Sequence, residues 1–493
     1  MRNYARESRP WMTWLTIATV LLAGVGIFFY YSLFRQSKSE LIEAIPTDAA
    51  FIFALNDNDG FVTSSTKVAP YLNELFVMDA LPAYETMRGK LPAGEYDLTV
   101  SGHASDNGVS ILFNTHADKA AFKRLLRALS IDPNNYTGFE GNRIYTYGTN
   151  FKSVKFVYIN HIISFSTDLE LLKRAVVQHT HPKNLLSDKQ FKEMYNLTEK
   201  NRKQNWLIVN PERYSAYLSS FLTENLSKKL SNCLKESGWT ALQLRFSGNE
   251  MFMSGYMFTD SPDDDRFDIL VNRTGNGSEI NELYPAQACW YAHLETPKVK
   301  ELDRLHDFGE DLHPFMELSP SEYGCFALRA DSSYYRYAIL LCDSTKDALE
   351  AYYGGSADSV RSSHPDGLYP IPGRLLPLLP LLAPDSANCF VERNGALVFA
   401  TSKEAMAVYQ KSMKMAGNLP QNRYYPFVNE AVASSSLLNW VMINDGNSAY
   451  WSSQLSDKGK SSNFGKDLHI FSLSCDAIEK NSHLVPINLY LLF

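Results

Sequence analysis

The sequence has no C-x-x-C pair, no H-E-x-x-H, no G-x-x-x-x-G-K phosphate loop, no G-x-S-x-G elbow, no dinucleotide fingerprint and no K-T-G. Zinc-ribbon, metalloprotease, nucleotide-binding and serine-hydrolase chemistries therefore lack their usual spacings. It also lacks a basic stripe. With 47 Lys and Arg against 54 Asp and Glu the net charge is -7, which argues against a nucleic-acid surface. Its six cysteines, Cys233, Cys289, Cys325, Cys342, Cys389 and Cys475, form no regular framework, and most lie in apolar runs. Buried thiols are the expectation. A bridge between Cys325 and Cys342 across a hairpin is the alternative, provided the compartment is oxidising.

Long apolar runs are also scarce, with one exception. Trp11 to Phe34 contains 24 residues without a charge, enough to cross a hydrocarbon core of about 30 Å. A cleaved signal peptide has a shorter apolar region ending in small residues, whereas this run ends in Phe28, Phe29, Tyr30, Tyr31, Ser32, Leu33 and Phe34. The reading is a retained single-pass anchor. Arg2, Arg6 and Arg9 precede it and Arg35 and Lys38 follow, a small positive-inside bias that leaves residues 1–10 as a cytoplasmic leader and the bulk of the chain extracytoplasmic. In bacterial terms this is the inner membrane facing the periplasm.

The rest has an ordinary globular composition, 45% hydrophobic, 20% charged and 13% aromatic, and exceeds the size at which one core keeps growing. Two domains are expected, and the chain repeats itself. NWLIVN (Asn205 to Asn210) returns as NWVMIN (Asn439 to Asn444), 234 positions later, and HIISFS (His161 to Ser166) returns as GALVFA (Gly395 to Ala400) at the same separation. S-A-Y-x-S-S follows both NW strands, at Ser215 and at Ser448. The apolar run Ala49 to Leu55 is echoed by Ala288 to Leu294, each preceded by proline, at Pro46 and Pro285.

Hairpins are expected for Tyr96 to Ala104 with Val109 to Asn114, and for Tyr323 to Ala330 with Arg336 to Leu341. The spacing of Val68, Tyr71, Leu72, Leu75 and Phe76 predicts a helix, as does a stripe of Phe122, Leu125, Leu126 and Leu129 opening at Thr115; the echo of the second runs from Ser344 to Gly354. Strand pairs close each half, around Ala241 to Phe258 and Leu468 to Phe493, so truncation in the latter should unfold the second half. Hairpins with single helices imply an α+β fold, antiparallel sheet with helices on one face. The divisions are a juxtamembrane linker 35–44, a first repeat domain 45–260, a linker 261–282 rich in Asp, Gly, Asn and Ser, and a second repeat domain 283–493. Trp206 and Trp440 are taken as equivalent core positions.

Four local features are weighed for chemistry. Ser64 and Lys67 form an S-x-x-K without its partner motifs, and read as a polar helix start. Asp263, Asp264 and Asp265 lack the alternating ligands of a calcium loop. His179 and His181 have no neighbouring ligand cluster for a metal. The prolines of Leu375 to Pro384 exclude a central strand, so Leu375, Leu376, Leu378, Leu379, Leu381 and Leu382 lie on a packed loop or on an apolar patch for a partner or the bilayer. No catalytic, cofactor or metal residue emerges.

With its anchor, the P-x-x-A-x-F strand at Pro46 to Phe51 and its duplicated strand and helix order, the chain resembles a family of membrane-anchored cell-envelope proteins of Bacteroidota known only as a domain of unknown function. That resemblance implies an extracytoplasmic location and supplies no catalytic residue. The functional expectation is a non-enzymatic envelope protein whose paired domains bind another envelope protein or component. The alternative is a hydrolase-like envelope enzyme with its site in the cleft between domains.

Overall fold

The computed structural model describes residues 40–55, 58–76, 89–90, 97–105, 108–149, 152–181, 183–200, 204–234, 237–259, 279–295, 321–373, 387–431, 436–444, 450–479 and 482–493. The segment 11–34, the leucines of 375–382 and Asp263 to Asp265 lie outside them. No helix among the described residues is long and apolar enough to cross a membrane.

The fold is α+β around an antiparallel sheet. The first half supplies β1 (Ala49–Leu55), β2 (Leu98–Ser105), β3 (Gly108–His116), β4 (Thr137–Phe139), β5 (Asn142–Thr149), β6 (Lys152–Ile159), β7 (Ile162–Ser166), β8 (Trp206–Val209), β9 (Ser237–Ser247) and β10 (Glu250–Thr259). The second supplies β11 (Trp290–Glu295), β12 (Glu322–Ala330), β13 (Ser333–Leu341), β14 (Tyr369–Gly373), β15 (Ala387–Arg393), β16 (Ala396–Ala400), β17 (Leu438–Ile443), β18 (Ile470–Cys475) and β19 (Leu484–Leu492). Their pairings run β4-β5-β6-β7-β3-β2-β1-β8-β9-β10 and, continuing without a break, β19-β18-β17-β11-β12-β13-β16-β15-β14. Among the described residues one 19-stranded sheet spans both halves.

Outward from the β10–β19 pair, the same strand order is met in both directions, save that β4 has no partner in the second half. The register locates the centre of this arrangement. Ser254 lies opposite Asn488, Glu250 opposite Leu492 and Phe258 opposite Leu484. Ser254 and Asn488 are 234 positions apart, so a two-fold axis normal to the sheet passes between them. A second contact lies on an equivalent relation: Leu222 bridges Leu455, with Thr223 N–H donating to the Gln454 carbonyl (2.9 Å) and Ser456 N–H to the Phe221 carbonyl (3.0 Å).

Helices cover both faces, not one. Both sides of the central strands are apolar: β1 is buried at six of its seven positions, so each face needs a helical layer. Phe51, Phe53, Val100, Phe113, Phe156, Phe165, Leu242, Met253, Leu491, Ala292, Cys325, Phe390 and Phe399 share one face, and a single core cluster joins them across both halves. We call this the common face. Helices Ala69–Phe76, Lys119–Ala128 and Thr345–Tyr353 bury Leu72, Leu75, Phe76, Phe122, Leu125, Leu126 and Leu349 against it. The opposite, divided face carries separate cores. Helices Leu169–Thr180 and Lys189–Lys200 cover the first half, Lys403–Ala416 and Tyr425–Ala431 the second.

Several local expectations hold in detail. Ser344 caps its helix by accepting from Asp347 N–H (3.2 Å), and Gly354 ends it at φ 70°. The helix after β3 is capped by Asp118, not Thr115, because the strand runs on through His116 and leaves Asp118 to accept from Ala121 N–H. Leu41–Ala44, placed in the juxtamembrane connection, form a 3-10 turn whose Leu41, Ile42 and Ala44 are buried against the divided face, as are Ile280 and Leu283 of the turn Ile280–Leu283. Apolar side chains in both turns explain why these segments pack.

The tryptophan equivalence fails. Cross-strand partners share a face, and Trp206 pairs with Ala54 and Gln243 on the divided face, whereas Trp440 pairs with Ala292 and Leu473 on the common face. Counted through the ladder, Leu207 is the counterpart of Trp440. A shift of one residue turns every side chain over, and the NW match is out of step with the sheet by that one residue. HIISFS and GALVFA are in step, with Phe165 and Phe399 both on the common face.

Cys289, Cys325, Cys342, Cys389 and Cys475 are buried thiols. Cys325 pairs with Ala338 in the β12–β13 hairpin, and Cys342 lies beyond its last rung, so the two do not face each other. Burial pushes the Cys342 and Cys475 thiols up to about 12, which makes both inert as nucleophiles at neutral pH.

Candidate functional site

Two polar constellations draw on the buried polar side chains of the sheet. The first lies in the first half. Strand alternation puts Ser101 and His103, two residues apart on β2, on the divided face, and a bulge in β1 between Ala49 and Phe51 brings the preceding Asp48 beside them. His103 Nδ1 is 3.0 Å from Asp48 Oδ1, and Ser101 Oγ is 2.9 Å from His103 Nε2. Arg174, from the helix Leu169–Thr180, donates to the other Asp48 oxygen.

Burial pushes the His103 pKa down despite the Asp48 carboxylate beside it. The ring is therefore neutral near pH 7, with Nδ1–H donating to Asp48 and Nε2 accepting from the Ser101 hydroxyl. Partial burial opposes charge on Asp48, but His103 and Arg174 outweigh it and hold the carboxyl well below the usual carboxylate range. The order Ser, His, Asp is that of a nucleophilic triad. Access is not. Ser101 and His103 are both 0% exposed, and β2 is hydrogen-bonded to β1 on one side and β3 on the other, so the neighbouring backbone N–H groups are engaged in the ladder. In this conformation no acyl group can reach the hydroxyl. Counted through the sheet, Ser101 and His103 correspond to Phe326 and Leu328, which are buried core residues. A fluorophosphonate probe is expected to leave Ser101 unlabelled in the folded protein, read by intact mass; stoichiometric labelling lost in Ser101→Ala would show a route to the hydroxyl.

The second constellation crosses the junction of the halves. On the divided face His293 is opposite Asn439, Asn439 opposite Ser474, Ser474 opposite Asn488, Asn488 opposite Ser254, and Ser254 opposite Gln243. Six polar side chains from six adjacent strands form one row, about 24 Å long at the usual strand spacing. The two-fold axis passes through its Asn488–Ser254 step. His293 Nε2 is 3.2 Å from the Asn439 amide nitrogen, while His293 Nδ1 and Asn439 Oδ1 are buried without a partner. Burial pushes the His293 pKa down to about 4. Asn488 donates to Asp476 (3.3 Å), and Ser436 donates to the other oxygen of that carboxylate (2.7 Å). Tyr256 and Tyr490, themselves 234 positions apart, flank the axis; Tyr490 is buried with its hydroxyl 3.0 Å from Glu250, whereas Tyr256 is 39% exposed.

The features weighed from sequence fall elsewhere. Ser64 donates back to the Gly60 carbonyl (2.6 Å), and Lys67 lies past the end of the helix Asn58–Ser65, so they form no nucleophile and base pair. His179 sits in the last turn of its helix and His181 just beyond it, and no group of three or more His, Cys, Asp or Glu suited to a metal occurs among the described residues. Sequence reading missed both constellations. The only local signal was S-x-H on an apolar strand; the row is drawn from six separate strands and leaves none.

The fold thus defines an α+β protein with one antiparallel sheet between two helical layers and a polar seam at its centre. No known protein-family profile matches the chain, and no curated protein matches it. Among solved structures it is similar to TP0453 in crystal form IV, at 13% identity and a TM-score of 0.25 over 44% of this chain and 79% of that one. Crystal form I of TP0453 gives 12% identity and 0.26 over 45% and 79%. Similarity at that level carries no argument about fold or function.

Proposed function

We propose that the chain is a non-enzymatic binding protein of the cell envelope, anchored by Trp11 to Phe34 with its bulk outside the cytoplasm, and built by duplication of one α+β unit. The polar seam on the divided face is the observation that carries the binding reading. Its accessible part, Gln243, Ser254 and Asn488 beside the exposed Tyr256, is a band of uncharged polar side chains on a face whose flanks are covered by helices. Duplication is supported by the matching strand order on either side of β10–β19 and by the sequence echoes at 234 positions. Protease shaving of spheroplasts tests the topology: digestion of the globular part is expected, and full protection would overturn an external location.

A photo-crosslinking amino acid in place of Tyr256 tests the surface. Crosslinking in cells to an envelope component is expected, with none when the same group replaces the exposed Met415 of the helix Lys403–Ala416; equal labelling from both positions would overturn it. The rival reading, an envelope hydrolase, draws on the Ser101, His103 and Asp48 geometry and stands or falls with the fluorophosphonate experiment.

A further inference from the structure

We infer that the seam binds a neutral, hydroxyl-rich chain, a linear glycan, laid across the strands at the junction of the two halves. The inference rests on the binding reading above and adds the ligand class.

The side chains offered are of one kind. Gln243 and Ser254, both half-buried, make no side-chain hydrogen bond among the described residues, and the half-buried Asn488 spends one amide hydrogen on Asp476. These are amides and hydroxyls that donate and accept in equal measure, which suits ligand hydroxyl groups, themselves donors and acceptors. The exposed Tyr256 adds an aromatic surface beside Ser254, on the rung it shares with Ala241 and Pro486. Rings of this kind take the apolar face of a sugar while their hydroxyls stay wet.

Charge is scarce and mostly occupied. Asp476 is held by Ser436 and Asn488, and Glu250 by Tyr490. Arg245, on the neighbouring rung opposite Phe252, and Glu430, close enough to act on Tyr490, are exposed charges of opposite sign at the margin. Such a surface gives no cluster of one sign for a polyanion.

A peptide fits less well. An extended peptide is captured at a sheet edge, where unpaired N–H and C=O groups continue the ladder. Here β9, β10, β19 and β18 are each paired on both sides, so the seam offers side chains and no backbone. At the row's far end Ser474, Asn439 and His293 are buried, so the footprint open to a ligand is Gln243, Ser254, Asn488 and Tyr256.

The test is retention of the full chain, in mild detergent, on insoluble cellulose, chitin, starch and mannan, with release by the matching soluble oligosaccharide. Retention on at least one is expected. Tyr256→Ala and Ser254→Leu, both at incompletely buried positions, should each weaken it about tenfold or more while the unfolding midpoint in urea stays put. No retention on any of the four, or retention indifferent to both substitutions, overturns the glycan assignment. If Tyr256 crosslinks to a protein in cells while all four glycans fail, the binding surface survives and its ligand class is wrong. If crosslinking also fails, both readings fall.

Discussion

Leu491→Asp is expected to unfold both halves together. Leu491 is 3% exposed on the common face of β19, paired with Met251 of the first half and Phe471 of the second. Replacing it removes a buried aliphatic side chain and leaves a carboxylate in its place, a loss above about 4 kcal/mol. The loss cannot stay in one half. The common-face core runs unbroken from Phe165 and Phe113 to Phe399 and Phe390, and β19 is the strand that joins the two parts of the sheet. Hydrogen exchange reads this directly: amides of β1 and of β11 should lose protection by the same amount. If β1 keeps its protection, the halves fold independently and the expectation from sequence, that damage to the last strands is confined to the second half, is the correct one.

The second large effect is with pH. In the folded chain the burial of His293 holds its imidazole neutral down to about pH 4, whereas in the unfolded chain it takes up a proton below about 6.5. Between those values the unfolded state binds the extra proton, so stability from this group is full at neutral pH, falls as the pH drops below 6.5, and is lost near 4. The loss at pH 4.5 is about 2 to 3 kcal/mol. His103, whose folded pKa is also lowered, acts in the same direction, whereas the lowered pKa of Asp48 takes effect below its ordinary value of 3.8 and so adds little between pH 7 and 4.5. Urea midpoints at pH 7 and pH 4.5 should therefore differ widely in the wild type and less in the double variant His293→Leu, Asn439→Leu, which removes the titrating ring and its amide partner together. An unchanged difference would mean that His293 is not the seat of the acid sensitivity.

Much of the architecture is legible from local pattern. β1, the two long hairpins and the helix caps at Ser344 and Gly354 follow from apolar runs, turn residues and cap chemistry, each a matter of a few adjacent positions. What does not follow is anything that depends on the ladder. NWLIVN and NWVMIN are the strongest textual match in the chain, yet their tryptophans point to opposite faces, because a single-residue step in register is invisible in an alignment of letters and decisive in a sheet. Helices on both faces were missed for a related reason: β1 reads as a short apolar run, and such a run does not say how many layers cover it. The polar groups are harder still. Asp48 and His103 are 55 positions apart and meet through a bulge, and the seam gathers one side chain from each of six strands. Ser474, Asn488 and Ser254 are unremarkable in sequence; their placement side by side is what gives them meaning.

The β10–β19 register is that of an isologous contact, in which the same strand meets its own counterpart about a two-fold axis. Cut from its second half, the first would expose the nine positions of β10 now matched to β19 as an edge, complementary in direction and register to the edge of another copy. A first half expressed alone should therefore be a homodimer with Ser254 facing Ser254. Its two outer edges are built differently. β4 has three residues, and β14 carries Pro370 and Pro372, so neither rim invites another strand. Among the described strands, both outer rims therefore resist further pairing, and pairing is directed to the middle.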